Sequence, residues 1–312
     1  MTRRGTTQHV VGDVEGSETP GYSIVIPCYN EENAIDQTIM QLFDQVDADE
    51  GDGSPPYEIV VVDDGSEDKT SEHLARLSKK YEALKVVRHS RNRGYGAALK
   101  TGITAAIHDI IVITDADGTY PNDRIPELVG LSKGLDMLVG ARVGDDVNYS
   151  KIRAIPKVFL KSWVSWIAGR PVPDINSGLR VFKRSAVRPF FPILPDTFSF
   201  TTTITLCMLT NYMAVDYVPI SYQQRIGSSK IKPVRDTLRF CKLILRTGMY
   251  FAPMRLLTPF IVLLGLIALG SGGYDIFVAQ NLSDKTTLFV LFTFNTLMFA
   301  LLADMIDKRS AR

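Results

Sequence analysis

Two uncharged stretches near the end of the chain constrain its fold more than any other feature. They cover residues 256–274 and 286–303 and are separated by the polar residues 275–285. Each is about 18 or 19 residues long, which is close to the length that an α-helix needs to cross the hydrocarbon core of a bilayer. We therefore predict a two-helix transmembrane hairpin, with a buried helical hairpin of a soluble protein as the alternative.

Basic residues next to these stretches predict how the hairpin is oriented. They lie on its outer sides, at Lys242, Arg246, Arg255, Lys308, Arg309 and Arg312. The connecting loop carries only Lys285. Because cytoplasmic segments of membrane proteins are enriched in Lys and Arg, we expect an integral membrane protein with both termini in the cytoplasm.

The part of the chain before the hairpin alternates short apolar runs with helical patterns. Strands are predicted at residues 22–27, 57–62, 84–88 and 110–114, and helices at 34–46, 69–81 and 94–107. This alternation is typical of an α/β domain with a doubly wound, mostly parallel sheet. Ligands of such sheets bind beyond the carboxyl ends of the strands.

These patterns divide the chain into five segments. Residues 1–21 are polar, lack the apolar core of a signal peptide and are predicted to be a disordered tail. Residues 22–232 form the α/β domain, and 233–254 an amphipathic juxtamembrane segment that lies on the membrane or packs on the domain. Residues 255–306 hold the two transmembrane helices, and 307–312 are a cytoplasmic tail.

The composition of the chain limits which partners and cofactors are expected. The chain has 35 basic and 34 acidic residues, so its overall charge gives no reason to expect nucleic acid as a partner. Its three cysteines and four histidines are scattered without the spacing of a zinc or redox site. Any metal is therefore expected to have oxygen ligands.

Polar groups follow three of the predicted strands. They are found at residues 29–31, 63–66 and 115–117, and the last is the run Asp115-Ala116-Asp117. An Asp-x-Asp run alone is often a solvated turn. At the end of an apolar strand, however, two carboxylates can bind Mg²⁺ or Mn²⁺, which also bind diphosphate oxygens.

The three segments together resemble family 2 glycosyltransferases with the GT-A fold. Those that carry the resemblance are Ile-Pro-Cys-Tyr-Asn-Glu at 26–31, Val-Asp-Asp-Gly-Ser-Glu-Asp-Lys-Thr at 62–70 and Asp-Ala-Asp at 115–117. Val-Gly-Ala-Arg at 139–142 and Asp-Ile-Asn-Ser-Gly-Leu-Arg at 174–180 are similar to the dolichol-phosphate mannose synthase and polyprenyl-phosphate glycosyltransferase branch. The resemblance covers roughly residues 22–232. It implies a Rossmann-like GT-A domain on the cytoplasmic face of the membrane, followed by interface helices and the hairpin.

The resemblance implies a donor site for a nucleotide-sugar. Its residues would be Pro27, Tyr29, Glu31, Asp63, Asp64, Asp115, Ala116 and Asp117. Asp64 would reach the base or the ribose, and Asp115 and Asp117 would hold the metal. Many relatives carry a metal-binding Gln where this chain has Thr119, so ligation by the shorter Thr119 is left open.

The resemblance also implies an acceptor site for a phosphate. Its residues would be Arg142, Arg153, Ser177, Arg180, Arg225 and Lys230. Asp117, Arg142, Arg153 and Arg180 are the expected catalytic residues, and Asp174 is expected to orient the cations. Taken singly, any of these cations is more often a solvated surface charge.

The expected reaction is inverting transfer of a hexose from a GDP-mannose or UDP-glucose type of donor to a membrane polyprenyl or dolichyl phosphate. A phosphate monoester is already ionised near neutral pH, since its second pKa is about 6. No strong catalytic base is then required, and none is evident in the sequence. The lipid bilayer is an expected partner, and a homo-oligomer is left open.

Three alternatives remain at this stage. A family 2 transferase could act on another membrane lipid or build a polysaccharide. Processive synthases carry Gln-x-x-Arg-Trp, which Gln-Gln-Arg-Ile at residues 223–226 does not match. The alternative of another class is a non-catalytic membrane scaffold, against which the retained aspartates argue.

Arg-Gly-Tyr-Gly at residues 93–96 is interpreted only as a tight turn into a packed helix, because Leu99 replaces the third glycine of a dinucleotide fingerprint.

Overall fold

A computed structural model of the chain describes residues 20–47, 55–142, 162–222, 241–242, 245–246, 248–250 and 252–310. Within these ranges the strands form one mixed sheet of seven. Their bounds are β1 Tyr22–Cys28, β2 Tyr57–Asp63, β3 Leu84–Arg88, β4 Ile110–Ile113, β5 Met137–Arg142, β6 Arg180–Lys183 and β7 Val215–Ile220.

Helices lie between the strands and after the last one. Their bounds are α1 Ile35–Asp47, α2 Thr70–Lys80, α3 Tyr95–Ala105, α4 Ile125–Leu131, α5 162–168, α6 Arg184–Val187, α7 Phe200–Thr210, α8 Pro253–Tyr274 and α9 Asp284–Ser310. Short 3₁₀ turns at Asn122–Arg124 and Arg188–Phe190 precede α4 and follow α6, and a π-helical turn at Asp275–Ala279 extends α8.

The strand order is β3-β2-β1-β4-β6-β5-β7. All neighbouring pairs are parallel except those of β6, which runs antiparallel to both β4 and β5. The predicted mostly parallel α/β sheet is therefore confirmed. Because the other strands share one direction, β1, β2 and β4 end at the same edge of the sheet, where their polar residues follow.

Apolar cores cover both faces of the sheet. Val25 of β1 packs on the α3 and α7 side, and its neighbours Ile24 and Ile26 pack on the α1 and α2 side. This alternation follows from the two-residue period of a strand. Burial on both faces explains why β1 and β2 are almost continuously apolar.

The two uncharged stretches form α8 and α9, which pack against each other. Both are long and apolar enough to span a membrane, and only 11% and 6% of their most apolar windows are buried. The low burial argues against the core hairpin of a soluble protein.

The connection between these helices is shorter than predicted. Residues 275–279 continue the first helix as a π turn, so that the change of direction falls at 280–283. Asp275 stabilises this end of the hairpin by accepting hydrogen bonds from the Ser283 amide at 2.8 Å and the Thr286 hydroxyl at 2.7 Å. Most of the predicted tail at 1–21 and much of the juxtamembrane segment at 233–254 fall outside the described residues.

Candidate active site

Asp63 ends β2 at the polar edge of the sheet, Asp64 follows it, and both are buried. Asp63 shapes the turn into α2. Its Oδ1 accepts a hydrogen bond from the Ser66 amide at 2.9 Å, and its Oδ2 accepts one from the Ser71 hydroxyl at 2.5 Å. Arg88 Nε lies 3.4 Å from the same Oδ2, so the carboxylate also carries an ion pair.

Asp64 connects the end of β2 to the turn before α3. Its carboxylate accepts hydrogen bonds from the backbone amides of Arg93 at 2.9 Å and Gly94 at 2.7 Å. His89 Nδ1 lies 2.6 Å from Oδ1, and the opposite ring nitrogen is 2.9 Å from the Thr101 hydroxyl. Asp64 therefore orders this turn, and its contact with a nucleotide stays a prediction.

Asp115 follows β4 and is hydrogen-bonded to the first turn of α3. The Tyr95 hydroxyl, in the first turn of α3, donates a hydrogen bond to Asp115 Oδ1 at 3.0 Å. Burial raises the pKa of Tyr95 well above its usual value, and the negative charge of Asp115 adds to the effect. The phenol therefore stays protonated and able to donate at physiological pH.

The segment before β6 passes close to Asp115. A side chain at Gly178 would begin 2.9 Å from Asp115 Oδ2 and would displace that carboxylate. The Gly178 amide donates a 2.6 Å hydrogen bond to the Tyr120 hydroxyl, which fixes the segment. Asp115 is thus bounded by Tyr95 on one side and by Gly178 on the other.

Asp117 is almost completely buried and is oriented by its own turn. Its Oδ1 accepts hydrogen bonds from the Thr119 hydroxyl at 2.7 Å and the Thr119 amide at 3.2 Å. Thr119 itself is fully buried. The Thr119 hydroxyl therefore positions Asp117 in this structure, and its ligation of a metal stays a prediction.

The remaining predicted donor residues lie at the same edge. Pro27 is buried within β1, and Tyr29 and Glu31 follow that strand in half-buried positions. The Glu31 amide donates to the Thr70 hydroxyl at 2.9 Å. The carbonyl of Ala116 accepts a 2.9 Å hydrogen bond from Thr38.

The oxygen chemistry of this edge fits a hard divalent cation. No group of three or more His, Cys, Asp and Glu side chains forms a metal cage among residues that the structure describes. Mg²⁺ usually needs only one or two protein carboxylates, because waters and substrate phosphates complete its coordination. Asp115 and Asp117 supply two carboxylates of that kind.

Arg142 ends β5 and is paired with Asp174. Its Nε and Nη2 donate hydrogen bonds to the two Asp174 oxygens at 2.7 and 3.0 Å. Burial disfavours the charged form of each side chain, but the hydrogen bonds and the attraction between the opposite charges have a larger effect. The pKa of Arg142 is therefore raised and that of Asp174 is lowered. The guanidinium also lies 5.2 Å from the ring centroid of Tyr222.

Arg180, which is predicted to contact the acceptor phosphate, makes its observed contacts inside the protein, and its role toward the acceptor stays a prediction. Its side chain is fully buried at the start of β6 and extends to α7. It donates hydrogen bonds to the Thr205 hydroxyl at 2.6 Å and to the carbonyls of Ser177 and Ile175 at 2.7 and 2.8 Å. Burial lowers the pKa of Arg180. This cation therefore organises the 174–180 segment from within the core.

Of the predicted acceptor residues, the structure describes Arg142, Ser177 and Arg180. Ser177 is fully buried, and its hydroxyl has no hydrogen-bond partner in the described part of the chain. Arg153, Arg225 and Lys230 lie outside the described residues. Arg142 is therefore the one predicted acceptor cation that is both described and partly exposed.

Sequence reasoning missed an aromatic pair at the site. The Phe198 ring is 79% exposed and stacks on Tyr95 with a centroid separation of 5.0 Å. The interpretation of residues 93–96 as a purely structural turn gives Tyr95 no role in the site. Its location directly after the glycine of the turn that connects β3 to α3 was the available signal, because such turns border the ligand edge of the sheet.

Comparison with known proteins adds three findings. Residues 23–189 match the sequence model of glycosyl transferase family 2. The chain is 32% identical over 221 residues to the dolichol-phosphate mannosyltransferase of Pyrococcus furiosus, covering 67% of this chain and 59% of that protein. It is 31% identical over 248 residues to the undecaprenyl-phosphate 4-deoxy-4-formamido-L-arabinose transferase of Pseudomonas fluorescens, covering 76% and 67%. Such alignments span 59% to 72% of the curated relatives' lengths.

The fold is also similar to that of a solved enzyme. Glucosyl-3-phosphoglycerate synthase from Mycobacterium tuberculosis, in complex with Mn²⁺, uridine diphosphate and phosphoglyceric acid, superposes with a TM-score of 0.52 at 19% identity. The match covers 73% of this chain and 78% of that one. At this identity the likeness concerns the fold alone, and it confirms a GT-A-like architecture.

Proposed function

The chain belongs to glycosyl transferase family 2, and we propose that it transfers a hexose from a nucleotide-sugar to a membrane polyprenyl or dolichyl phosphate. The observation that carries this proposal is the pair of carboxylates after β4, each oriented by its own hydroxyl donor. Tyr95 holds Asp115, and Thr119 holds Asp117. A carboxylate pair prepared in this way suits a cation that binds a diphosphate.

The donor site is proposed at the carboxyl edge of β1, β2 and β4. Asp115 and Asp117 would hold Mg²⁺ or Mn²⁺, which when bound supplies positive charge against the nucleoside-diphosphate leaving group. The nucleotide would lie along Pro27, Tyr29, Glu31, Asp63, Asp64 and Ala116. Asp64 contributes by fixing the turn that carries Tyr95, whether or not it also contacts the base or the ribose.

A lipid phosphate is proposed as the acceptor. The names of the Pyrococcus and Pseudomonas relatives refer to dolichol phosphate and undecaprenyl phosphate. A phosphate that is already ionised attacks the sugar carbon without a protein base, and direct displacement inverts that carbon. The Arg142–Asp174 pair would border the acceptor, and Arg153, Arg225 and Lys230 would provide further positive charge.

The proposal places this reaction at the cytoplasmic surface of a membrane. Helices α8 and α9 would span the bilayer, and the basic residues outside them would keep both termini in the cytoplasm. Lipid phosphates have their reactive group at the headgroup level. A domain attached directly to a membrane hairpin is suited to such an acceptor.

The proposal is tested with the full chain reconstituted in vesicles that contain polyprenyl phosphate. Radiolabelled UDP-glucose and GDP-mannose are supplied separately, with and without Mg²⁺ or Mn²⁺, and lipids are extracted and counted. Metal-dependent transfer to lipid from at least one donor is expected. A full chain that hydrolyses or ignores every nucleotide-sugar offered, with no labelled lipid, would contradict the proposal.

A further inference from the structure

The end of helix α5 and the start of α8 are joined by two reciprocal hydrogen bonds. Trp166 Nε1 donates to the backbone carbonyl of Arg255 at 2.9 Å. Arg255 Nη1 donates in return to the carbonyl of Ile167 at 3.2 Å. Arg255 lies in the first turn of α8 and is the last charged residue before its uncharged stretch, so these bonds attach the α/β domain to the start of the first candidate span.

Close packing makes this attachment rigid. Gly169 has φ +73° and faces the Arg255 guanidinium, whose Cζ lies 2.8 Å from the position that a side-chain carbon at 169 would take. Leu256 is only 2% exposed and belongs to the same apolar core as Ile167. The first candidate span therefore begins in contact with the core of the domain.

Trp166 is exposed although it is large and mostly apolar. Its relative exposure is 52%, while its indole N–H is already satisfied by the Arg255 carbonyl. Exposed apolar residues that occur singly are common and need no explanation. Trp166 differs from them because it is hydrogen-bonded to the first turn of a candidate transmembrane helix. Tryptophan is enriched at the interface between membrane and water, where its ring lies at the level of the lipid headgroups.

We propose that Trp166 lies in the lipid–water interface of the cytoplasmic leaflet, and that its contacts with Arg255 hold the catalytic domain at a fixed height above the bilayer. The inference rests on the proposed insertion of the hairpin. It extends the proposed function by naming the surface that seats the domain on lipid. The site then lies at a fixed distance from the headgroups, where the phosphate of a lipid acceptor is found. A water-soluble acceptor can reach the site whatever its distance from the bilayer.

The chain offers a direct optical test, because its only two tryptophans are Trp163 and Trp166. Trp163→Phe leaves Trp166 as the single indole, and Trp166→Phe leaves Trp163, which packs partly buried against the core. The full-length variants are reconstituted in phosphatidylcholine vesicles with quenchers attached near the headgroup or deep in the acyl chain. Flotation with the vesicles is checked first, and transfer to a short, water-soluble prenyl phosphate is assayed on the same preparations.

We expect the shallow quencher to reduce Trp166 fluorescence several-fold more than Trp163 fluorescence, and more than the deep quencher does. Equal quenching of the two tryptophans would overturn the interfacial placement. If transfer to the soluble acceptor persists in that case, the proposed function survives alone. A chain that does not float with the vesicles would overturn the placement together with the insertion of the hairpin.

A second experiment tests the fixed height. Gly169→Ala forces the Arg255 guanidinium to move, whereas Gly134→Ala introduces similar backbone strain at φ +81° with nothing within 4 Å. Gly169→Ala is expected to lower transfer to long-chain lipid phosphate in vesicles several-fold more than transfer to the short prenyl phosphate. The Gly134→Ala control should leave that ratio unchanged. An equal loss with both acceptors in Gly169→Ala would contradict the role of the attachment.

Discussion

Tyr95 donates a 3.0 Å hydrogen bond to Asp115 and so joins the start of α3 to the end of β4. The preceding residue, Gly94, is held by Asp64 at the end of β2. A continuous series of contacts therefore connects the two aspartate motifs across the sheet edge. Because β1 lies between β2 and β4, this series crosses the strand whose end supplies Tyr29 and Glu31.

Tyr95→Phe tests whether this hydrogen bond prepares the metal site. The change keeps the ring that stacks on Phe198 but removes the donor to Asp115. Since groups that orient metal ligands typically contribute 10- to 100-fold in affinity, we expect roughly a 10-fold rise in the Mn²⁺ dissociation constant, measured by electron paramagnetic resonance. Tyr212→Phe, at an exposed turn after α7, is the control. Unchanged Mn²⁺ affinity in Tyr95→Phe would show that Tyr95 has no such role.

Asp117→Asn tests the proposed metal ligand itself. The substitution preserves size but removes the negative charge, and we expect sugar transfer to fall about 100-fold, corresponding to roughly 3 kcal/mol of transition-state stabilisation. Thermal unfolding should change little, because the amide can still accept the hydrogen bond from Thr119. The exposed Asp216→Asn serves as the control. Full activity of Asp117→Asn at ordinary Mg²⁺ or Mn²⁺ concentrations would remove Asp117 from the site.

Arg180→Met separates a core role from an acceptor role. The buried carbonyl of Ser177 and the partly buried carbonyl of Ile175 lose their donors, at up to about 1–3 kcal/mol each, while removal of a buried charge offsets part of this cost. We expect the free energy of unfolding in detergent to fall by about 2 kcal/mol. Exposed Arg188→Met should change it by no more than about 0.5 kcal/mol. If Arg180→Met abolished transfer to lipid phosphate with unfolding unaltered, the acceptor assignment would be supported instead.

Asp174→Asn should have a pH-dependent effect on stability. The Arg142 pair lowers the Asp174 pKa in the folded state, so its stabilisation is present above the unfolded pKa of about 3.9 and is lost as pH falls through the lower folded pKa. Urea unfolding of the wild type and the variant is compared between pH 7 and pH 2. The difference in unfolding free energy should be constant above about pH 5 and shrink below about pH 3.9. A difference that does not vary with pH would show that the ion pair contributes nothing.

The first four strands and the helices between them were predictable because each carries its own local pattern. Apolar strands alternate with helical patterns, and aspartates mark the ends of β2 and β4. The later elements lack these signals. Strand β6 is only four residues long, and α7 begins Phe-Thr-Thr-Thr-Ile, which is richer in β-branched residues than most helices. Burial overrides that preference, and the Thr205 hydroxyl is satisfied by the carbonyl of Thr201, one turn earlier.

The same distinction applies to the site. Asp115 and Asp117 are identifiable from sequence because a strand end determines where both lie. The environment of Arg180 is set by Thr205, 25 residues later on another element, and no local pattern reports that contact. The glycine turn before Tyr95 indicates its location at the sheet edge, but no local pattern reports its partner Asp115, 20 residues away in the chain.

The most direct test of the central claim asks whether the acceptor's phosphate is the group that receives the sugar. The full chain in vesicles is given a labelled nucleotide-sugar and either polyprenyl phosphate or the matching polyprenol, which lacks the phosphate. Labelled product should form only with polyprenyl phosphate, because the polyprenol hydroxyl is protonated and the proposed reaction assigns no protein base to activate it. Transfer to polyprenol at a comparable rate, or to neither lipid with any UDP- or GDP-sugar, would contradict the account.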